Sequence, residues 1–244
     1  MDSLRDRVAE NPHWYHTIEL APGVATPGVV DLRALAPRVL PASLSGLRAL
    51  DVGTFDGFWA FELEKRGAEV VALDLPAFDA TEYPPRNREV LLARTQEWGM
   101  ELGRGFRIAA EALGSSARRV GAPVYELDAE TIGGPVDFAF VGAMLLHVRD
   151  PVRALERVLG ALKPGGRLTL LEPVDPLTSL LAPRRPVARF QATDTEFNWW
   201  AANVACLEAW LHAAGFERIV RGGLHRGEAA RGLTQCALGA YAPG

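Results

Sequence analysis

The sequence predicts an α/β protein built on a doubly wound, mostly parallel sheet of seven strands, the last of them antiparallel. Three observations carry this. Short apolar strands alternate with helical stretches from residue 47 onward. The first strand runs into a glycine turn and then a helix, and the chain ends on two strands with no helix between them.

Each element follows in order. Residues 1–45 are aromatic and proline-rich, and Pro22, Pro27, Pro37 and Pro41 leave room only for short turns, so this stretch reads as an irregular cover segment. One domain spans 46–244. Ala49–Val52 is a mostly apolar strand carrying Asp51 and running into Gly53; Phe58–Arg66 has helical spacing and stops at Gly67; Glu69–Leu73 is a second strand ending at Asp74. Between Asp74 and Pro123 lies room for one or two helices with a loop insertion. Pro123–Leu127, ending near Asp128, and Val136–Val141, ending near Gly142, are the third and fourth strands. Asp150 as N-cap and Pro151 at the first helical position open a helix with an apolar face of Val152, Leu155, Val158, Leu159 and Leu162. Lys163-Pro164-Gly165-Gly166 ends it. Arg167–Leu171 is the fifth strand, Ala202–Ala214 a helix closed by Gly215, and Phe216–Val220 and Gln235–Tyr241 are the last strands.

Composition narrows the function classes. Among 244 residues, 48% are hydrophobic and 23% charged, the balance of an ordinary globular protein. Lys+Arg 26 against Asp+Glu 30 gives −4, without the basic excess of a phosphate-tracking surface, so nucleic acid is not expected as a partner. Cys206 and Cys236 build neither a disulfide framework nor a cysteine metal site, and leave a single bridge open. MDSLRDRVAENP has no apolar signal-peptide region and no run reaches a membrane span, so a cytoplasmic location without a membrane partner is expected. Oligomeric state is not readable.

The turn after the first strand reads Asp51-Val52-Gly53-Thr54-Phe55-Asp56-Gly57. A dinucleotide site wants a glycine where Phe55 stands, and Asp56 would repel a phosphate. A cationic ligand fits better. S-adenosylmethionine (SAM) has a sulfonium and an ammonium but no phosphate, so it gains from acids at successive strand ends. Asp74 is placed to accept the ribose hydroxyls, Asp128 to accept from the adenine amine, and the Gly53 and Gly57 turn to approach the methionine part. Close helix–strand packing is the plainer reading of the two glycines.

LDVGTFDG, VVALD, YELDA and LKPGGRLTLLEP together resemble the motifs of the class I SAM-dependent methyltransferases, over about residues 47–241. The resemblance implies a Rossmann-like fold and SAM as cofactor, with S-adenosylhomocysteine as product. It implies Asp51, Gly53, Thr54 and Gly57 near the methionine moiety, Asp74 and Leu75 at the ribose, Asp128 and Ala129 at adenine, and Gly142 and Ala143 lining the methyl donor. A narrower resemblance lies in HWYHTIELAPGVATPG, GTFDGFWAFELEKRGA, MLLHVRDPVRALERV and NWWAANVACLEAWLHAAGF, which look like the group around the tRNA wobble-uridine carboxymethyltransferases. Two positions depart from it. Where those enzymes hold an extra carboxylate with Lys and Tyr, this chain has His16 and Leu146. Ordinary methyl transfer to a small molecule, at oxygen or nitrogen with carbon as a further option, is the reading this favours. An RNA acceptor, a non-catalytic SAM-binding protein and an NAD-dependent oxidoreductase are the rivals.

Methyl transfer to a hydroxyl needs a proton acceptor, and His147, after the fourth strand, and Glu172, after the fifth, are the candidates. Structural roles stay open for both: His147 shaping the donor pocket, Glu172 as a rim carboxylate. Of the aromatic clusters, Trp14 and His16 match the family motif that covers the donor, while Tyr15, Trp199 and Trp200 suit the acceptor side. A lid and a staple onto the sheet are equally open to them. Arg189, with Arg184 and Arg185, forms a basic patch suited to an anionic group or to plain solvation. No metal is expected, since His13, His16 and His147 match no ligand spacing.

Overall fold

The computed structural model describes residues 3–193, 197–226 and 232–244. Seven strands form the central sheet: β1 Arg48–Val52, β2 Glu69–Asp74, β3 Arg118–Gly121, β4 Val136–Gly142, β5 Leu162–Pro173, β6 Glu217–Arg226 and β7 Thr234–Tyr241. Their order is β6-β7-β5-β4-β1-β2-β3. All pairings are parallel except those of β7, which runs antiparallel to both β5 and β6. Around it lie helices α1 Leu4–Glu10, α2 Phe58–Glu64, α3 Arg88–Glu97, α4 Arg104–Leu113, α5 Pro151–Ala161, α6 Pro176–Leu181 and α7 Val204–Ala213. Among the described residues no helix is long and apolar enough to cross a membrane.

Strand alternation places the core on both faces of the sheet, as the near-continuous apolar strands require. Leu50, Val52, Val71, Leu73, Val141 and Leu170 pack with Leu155 and Val158 of α5 and Leu207 and Leu211 of α7. Ala49, Val70, Phe138 and Phe140 face the other way, onto Phe58 and Phe61 of α2 and Phe106 of α4. Trp14, Ile18, Leu20, Val30 and Leu32 belong to that second cluster. Cys206 and Cys236 are both free and buried, so no bridge forms between them.

Five elements depart from expectation: β5 begins at Leu162 and takes in Lys163–Gly166, read as a turn, β6 runs on to Arg226, and three others differ in kind or start. The third strand is Arg118–Gly121, not Pro123–Leu127, where Val124–Glu126 form a single tight turn. Proline at 123 offers no N–H to a ladder, and β3 is an edge strand, so it carries arginines instead of an apolar run. Arg119 Nη2 donates to the Leu75 carbonyl at 2.8 Å, and Arg118 Nη2 to that of Ile132 at 2.5 Å. The last long helix starts at Val204 because Asn203 caps it, Oδ1 accepting from Cys206 N at 2.9 Å, while Ala202 pairs with Ala188 in a short ribbon. The N-terminus contains a helix, α1, opened by a capping box in which Ser3 and Asp6 exchange hydrogen bonds.

β1 lies between β2 and β4, so the sheet reverses winding there and leaves a crevice at its carboxyl edge. The exit from β4 is fixed by a buried carboxylate: Glu172 Oε1 accepts from Met144 N at 2.7 Å and Leu145 N at 2.9 Å. Burial lifts this carboxyl from 4.5 to about 7. A folded-state value above the unfolded one stabilises below the unfolded pKa and is lost as pH rises through about 7, because the ionised group must then stay buried. At ~1.4 kcal/mol per unit the loss approaches roughly 3 kcal/mol by mildly alkaline pH. Glu172→Gln keeps an acceptor for both N–H groups and does not ionise. Its melting temperature relative to the parent should therefore rise by roughly 5 °C between about pH 5 and pH 8, and a pH-independent difference would refute the assignment.

Candidate functional site

The crevice is walled by the turns after β1 and β4. Both contain a non-glycine residue in the left-handed region, Phe55 at φ 50° and Ala143 at φ 48°. Such conformations cost on the order of 1 kcal/mol each and persist only where the surroundings enforce them. The enforcement is visible. Gly53 N and Thr54 N donate to the Leu73 carbonyl at 2.9 and 3.1 Å, Ala143 N to that of Leu171 at 2.9 Å, and Phe55 N to Asp74 Oδ2 at 2.9 Å. Gly53 has φ 79°, and a Cβ there would lie 3.2 Å from Met144 Cγ, so the two turns nearly touch. At Gly57, φ 94°, a Cβ would lie 2.5 Å from the Phe61 ring, which makes glycine obligatory where α2 begins. A Cβ on Gly142 would come 2.7 Å from the Phe140 ring.

Acids crowd this edge. Asp51 is buried on β1, and neither its Oδ2 nor the Thr54 hydroxyl has a hydrogen bond of ordinary geometry. Burial lifts the Asp51 carboxyl to about 7, with Asp74 adding to the rise and Thr54 and His16 opposing it. Asp74, at the end of β2, accepts from Leu75 N at 2.8 Å through Oδ1, and the Arg119 guanidinium stands 3.9 Å from Oδ2. Burial raises its pKa too. Leu75 is half-buried beside it. Asp56 pins the N-terminal segment: its Oδ2 accepts from Tyr15 N at 3.0 Å and His16 N at 2.7 Å, and Oδ1 pairs with His16 Nδ1 at 2.5 Å. The His16 ring stacks on Phe58 at 5.2 Å, and Tyr15 stands edge-on to His16 at 4.7 Å and Phe55 at 6.1 Å.

Not every expected residue comes to the crevice in the expected way. Trp14 is held in the core, its Nε1 donating to the Val8 carbonyl at 2.9 Å. Asp128 does not end a strand: it lies exposed beyond the tight turn that follows β3, its Oδ1 accepting from Thr131 N at 2.7 Å, which holds its pKa below the usual range. Ala129 follows it, its carbonyl accepting from Gly134 N at 2.6 Å. The positions directly after β3 are Ala122–Tyr125, displaced with the strand itself.

On the far side, His147 is half-buried in the tight turn after β4, stacked on Phe197 at 4.6 Å and 16°. Burial lowers its pKa to about 4, so it is neutral at pH 7. Trp199 N donates to the Leu146 carbonyl at 2.7 Å, and the Arg149 guanidinium lies 4.7 Å over the Trp199 ring. Trp200 Nε1 donates to the Arg149 carbonyl at 3.1 Å, while Arg189 is exposed on the ribbon opposite Ala201. A network unforeseen in the sequence ties these loops together. Glu82 Oε2 accepts from Tyr125 Oη at 2.8 Å and Arg149 N at 3.0 Å, and its carbonyl accepts from Trp199 Nε1 at 2.6 Å. Among the described residues no group of three His, Cys, Asp or Glu is placed to hold a metal ion.

Three comparisons bear on this geometry. The chain is 28% identical over 189 residues to a tRNA U34 carboxymethyltransferase of Syntrophotalea carbinolica, covering 76% of this chain and 48% of that one. It is 33% identical over 126 residues to a ubiquinone biosynthesis O-methyltransferase of Xylella fastidiosa, covering 52% of this chain and 42% of the relative. The chain thus spans about half the length, or less, of the curated relatives it matches. The crystal structure of the N-terminal domain of EvdMO1 with S-adenosylhomocysteine bound superposes with a TM-score of 0.63 at 18% identity, over 99% of this chain and 98% of that one. The family model for a methyltransferase domain matches residues 30–220. The chain belongs to the methyltransferase domain family, and its fold is that of the class I SAM-dependent members.

Proposed function

We propose that this chain transfers a methyl group from SAM to a small-molecule acceptor, at oxygen or nitrogen with carbon as a further acceptor atom. The observation that carries the reading is the cluster of buried carboxylates at the switch point, above all Asp51, whose Oδ2 has no hydrogen bond of ordinary geometry, beside Asp74. A low-dielectric pocket of negative charge favours a cationic ligand and opposes a pyrophosphate. When bound, SAM supplies an electrophilic methyl carbon on a sulfonium centre. Asp51 and Thr54 accept from the methionine ammonium, and Asp74 keeps lone pairs for the ribose hydroxyls. Residues 122–125 take the adenine side in place of Asp128 and Ala129. Tyr15, His16 and the segment before residue 46 form the wall over the donor, and Gly142 and Ala143 line it from β4. His147 accepts the acceptor's proton as a neutral imidazole, or orients the acceptor by the same nitrogen. Trp199, Trp200 and Arg189 stand on the acceptor side, and the reaction belongs in the cytoplasm.

The tRNA U34 relative favours an RNA acceptor as the second reading. Net charge −4 opposes it. A carboxylated donor would further need a free cation at position 16, and His16 is spent on Asp56. Absence of tRNA binding even at low salt would remove this rival.

Four outcomes test the donor and the base. SAM and S-adenosylhomocysteine should raise the melting temperature and NAD should not; stabilisation by NAD alone would overturn the proposal. Asp74→Asn should weaken S-adenosylhomocysteine binding about tenfold or more in titration calorimetry, the scale of losing a hydrogen bond to a charged acceptor. With an acceptor found by following S-adenosylhomocysteine release across phenols and amines, kcat/KM should show no His147 inflection between about pH 5 and pH 8, because that imidazole titrates near 4. His147→Ala at near-parental rate would make the residue structural.

A further inference from the structure

The segment between β5 and α7 presents a surface that methyl transfer does not account for. On α6, Leu177, Leu180 and Leu181 stand at i, i+3 and i+4, one stripe of the helix, and are 62%, 75% and 73% exposed. The amphipathic pattern is inverted, since the polar residues are the ones tied down. Ser179 Oγ donates to the Asp175 carbonyl at 2.7 Å and accepts from Val204 N at 3.3 Å. Asn203, fully buried, donates through Nδ2 to the carbonyls of Thr178 at 3.4 Å, Ala182 at 3.2 Å and Arg185 at 2.9 Å. The leucines therefore sit on an anchored support. Arg184 and Arg185 follow and are exposed, as is Phe190, whose ring lies 5.6 Å from Trp200. Residues 176–193 contain three arginines, the acceptor-side Arg189 among them, and no acid, in a chain of net charge −4, while Asp175 just before them is held as the cap of α6, its Oδ1 accepting from Thr178 N at 3.0 Å. Asp194 and Glu196, which come next, lie outside the described residues.

We propose that this surface docks the protein on an anionic lipid surface, leucines in the headgroup boundary and arginines on the phosphates. Apolar side chains beside basic ones, with no spanning helix, are the chemistry of an interfacial anchor, and the charge is complementary to an acidic leaflet. A second copy of the chain suits the patch less, because a two-fold interface would bring the same arginines against each other. Docking would set the Trp199 and His147 side of the crevice toward the lipid.

Co-sedimentation of the full chain with vesicles tests this. The protein should pellet with phosphatidylglycerol-containing vesicles at about 0.1 M salt, and much less with pure phosphatidylcholine or at about 0.5 M salt. Leu180→Ser/Leu181→Ser and Arg184→Glu/Arg185→Glu should each weaken the interaction about tenfold or more. Their melting temperatures should match the parent, since all four side chains are exposed. The proposal is overturned if the parent stays in the supernatant with anionic vesicles at low salt, or if both variants bind as it does. A concentration-dependent dimer in sedimentation velocity, abolished by the leucine variant, would instead assign the face to self-association. None of these readouts depends on the donor or the acceptor of methyl transfer.

Discussion

Three segments that shape the crevice each hang on a carboxylate supplied by another part of the chain. Asp74 at the end of β2 takes the N–H of Phe55 from the β1 turn, Glu172 on β5 takes those of Met144 and Leu145 from the β4 turn, and Asp56 takes those of Tyr15 and His16. Buried backbone donors must find acceptors, and turns that leave a sheet edge have no ladder to provide them. Carboxylates do this well because they accept several hydrogen bonds at once. The arrangement crowds carboxyl groups together, and burial raises the pKa of Asp51, Asp74 and Glu172 toward the neutral form, a rise that Arg119 opposes at Asp74 and His16 at Asp51. The scaffold that holds the loops thus also sets the field in which a ligand must sit.

The same scaffold explains the strained backbone. A dinucleotide-type turn uses glycine where this chain has Phe55, and Phe55 adopts the left-handed conformation anyway because Asp74 and Leu73 hold the residues around it. Ala143 repeats the solution across the crevice. A side chain at position 55 gives the N-terminal segment something to pack on, since the rings of His13 and Tyr15 both stand edge-on to Phe55. Permissiveness for a phosphate is exchanged for an aromatic contact.

Periodicity made β1, β2, β4, β5, β7 and their helices legible, because buried strands and amphipathic helices write their environment into every residue. β3 was not legible, since an edge strand reading Arg118-Arg119-Val120-Gly121 has no apolar run, while the apolar Pro123–Leu127 beside it imitates one. Asp128, expected at the end of that strand, accordingly lies beyond the tight turn instead. Asp51, Asp74 and Glu172 were visible as acids at strand ends. Glu82 and Tyr125 were not: each acts by joining segments distant in sequence, and no local pattern marks them. Asp56 was visible as a charge, and only the fold shows it spent on the N-terminal segment.

The two readings of the N-terminal aromatics, lid or staple, separate residue by residue. Trp14 is in the core with its indole N–H bonded to Val8, Tyr15 is half-buried against Phe55, and His16 is locked to Asp56. Swinging this segment away would extract the indole, a change on the scale of ~3 kcal/mol or more for a large buried aromatic, and would break the Asp56 bonds besides. It is therefore a fixed wall of the crevice. The opposite side is built differently: Phe197 is exposed, His147 is half-buried and the loops depend on Glu82 instead of on core packing, which is the side the proposed reading gives to the acceptor. That side also adjoins the exposed leucines and arginines that follow β5. One wall is thus rigid through core packing, and the other is held by hydrogen bonds between loops.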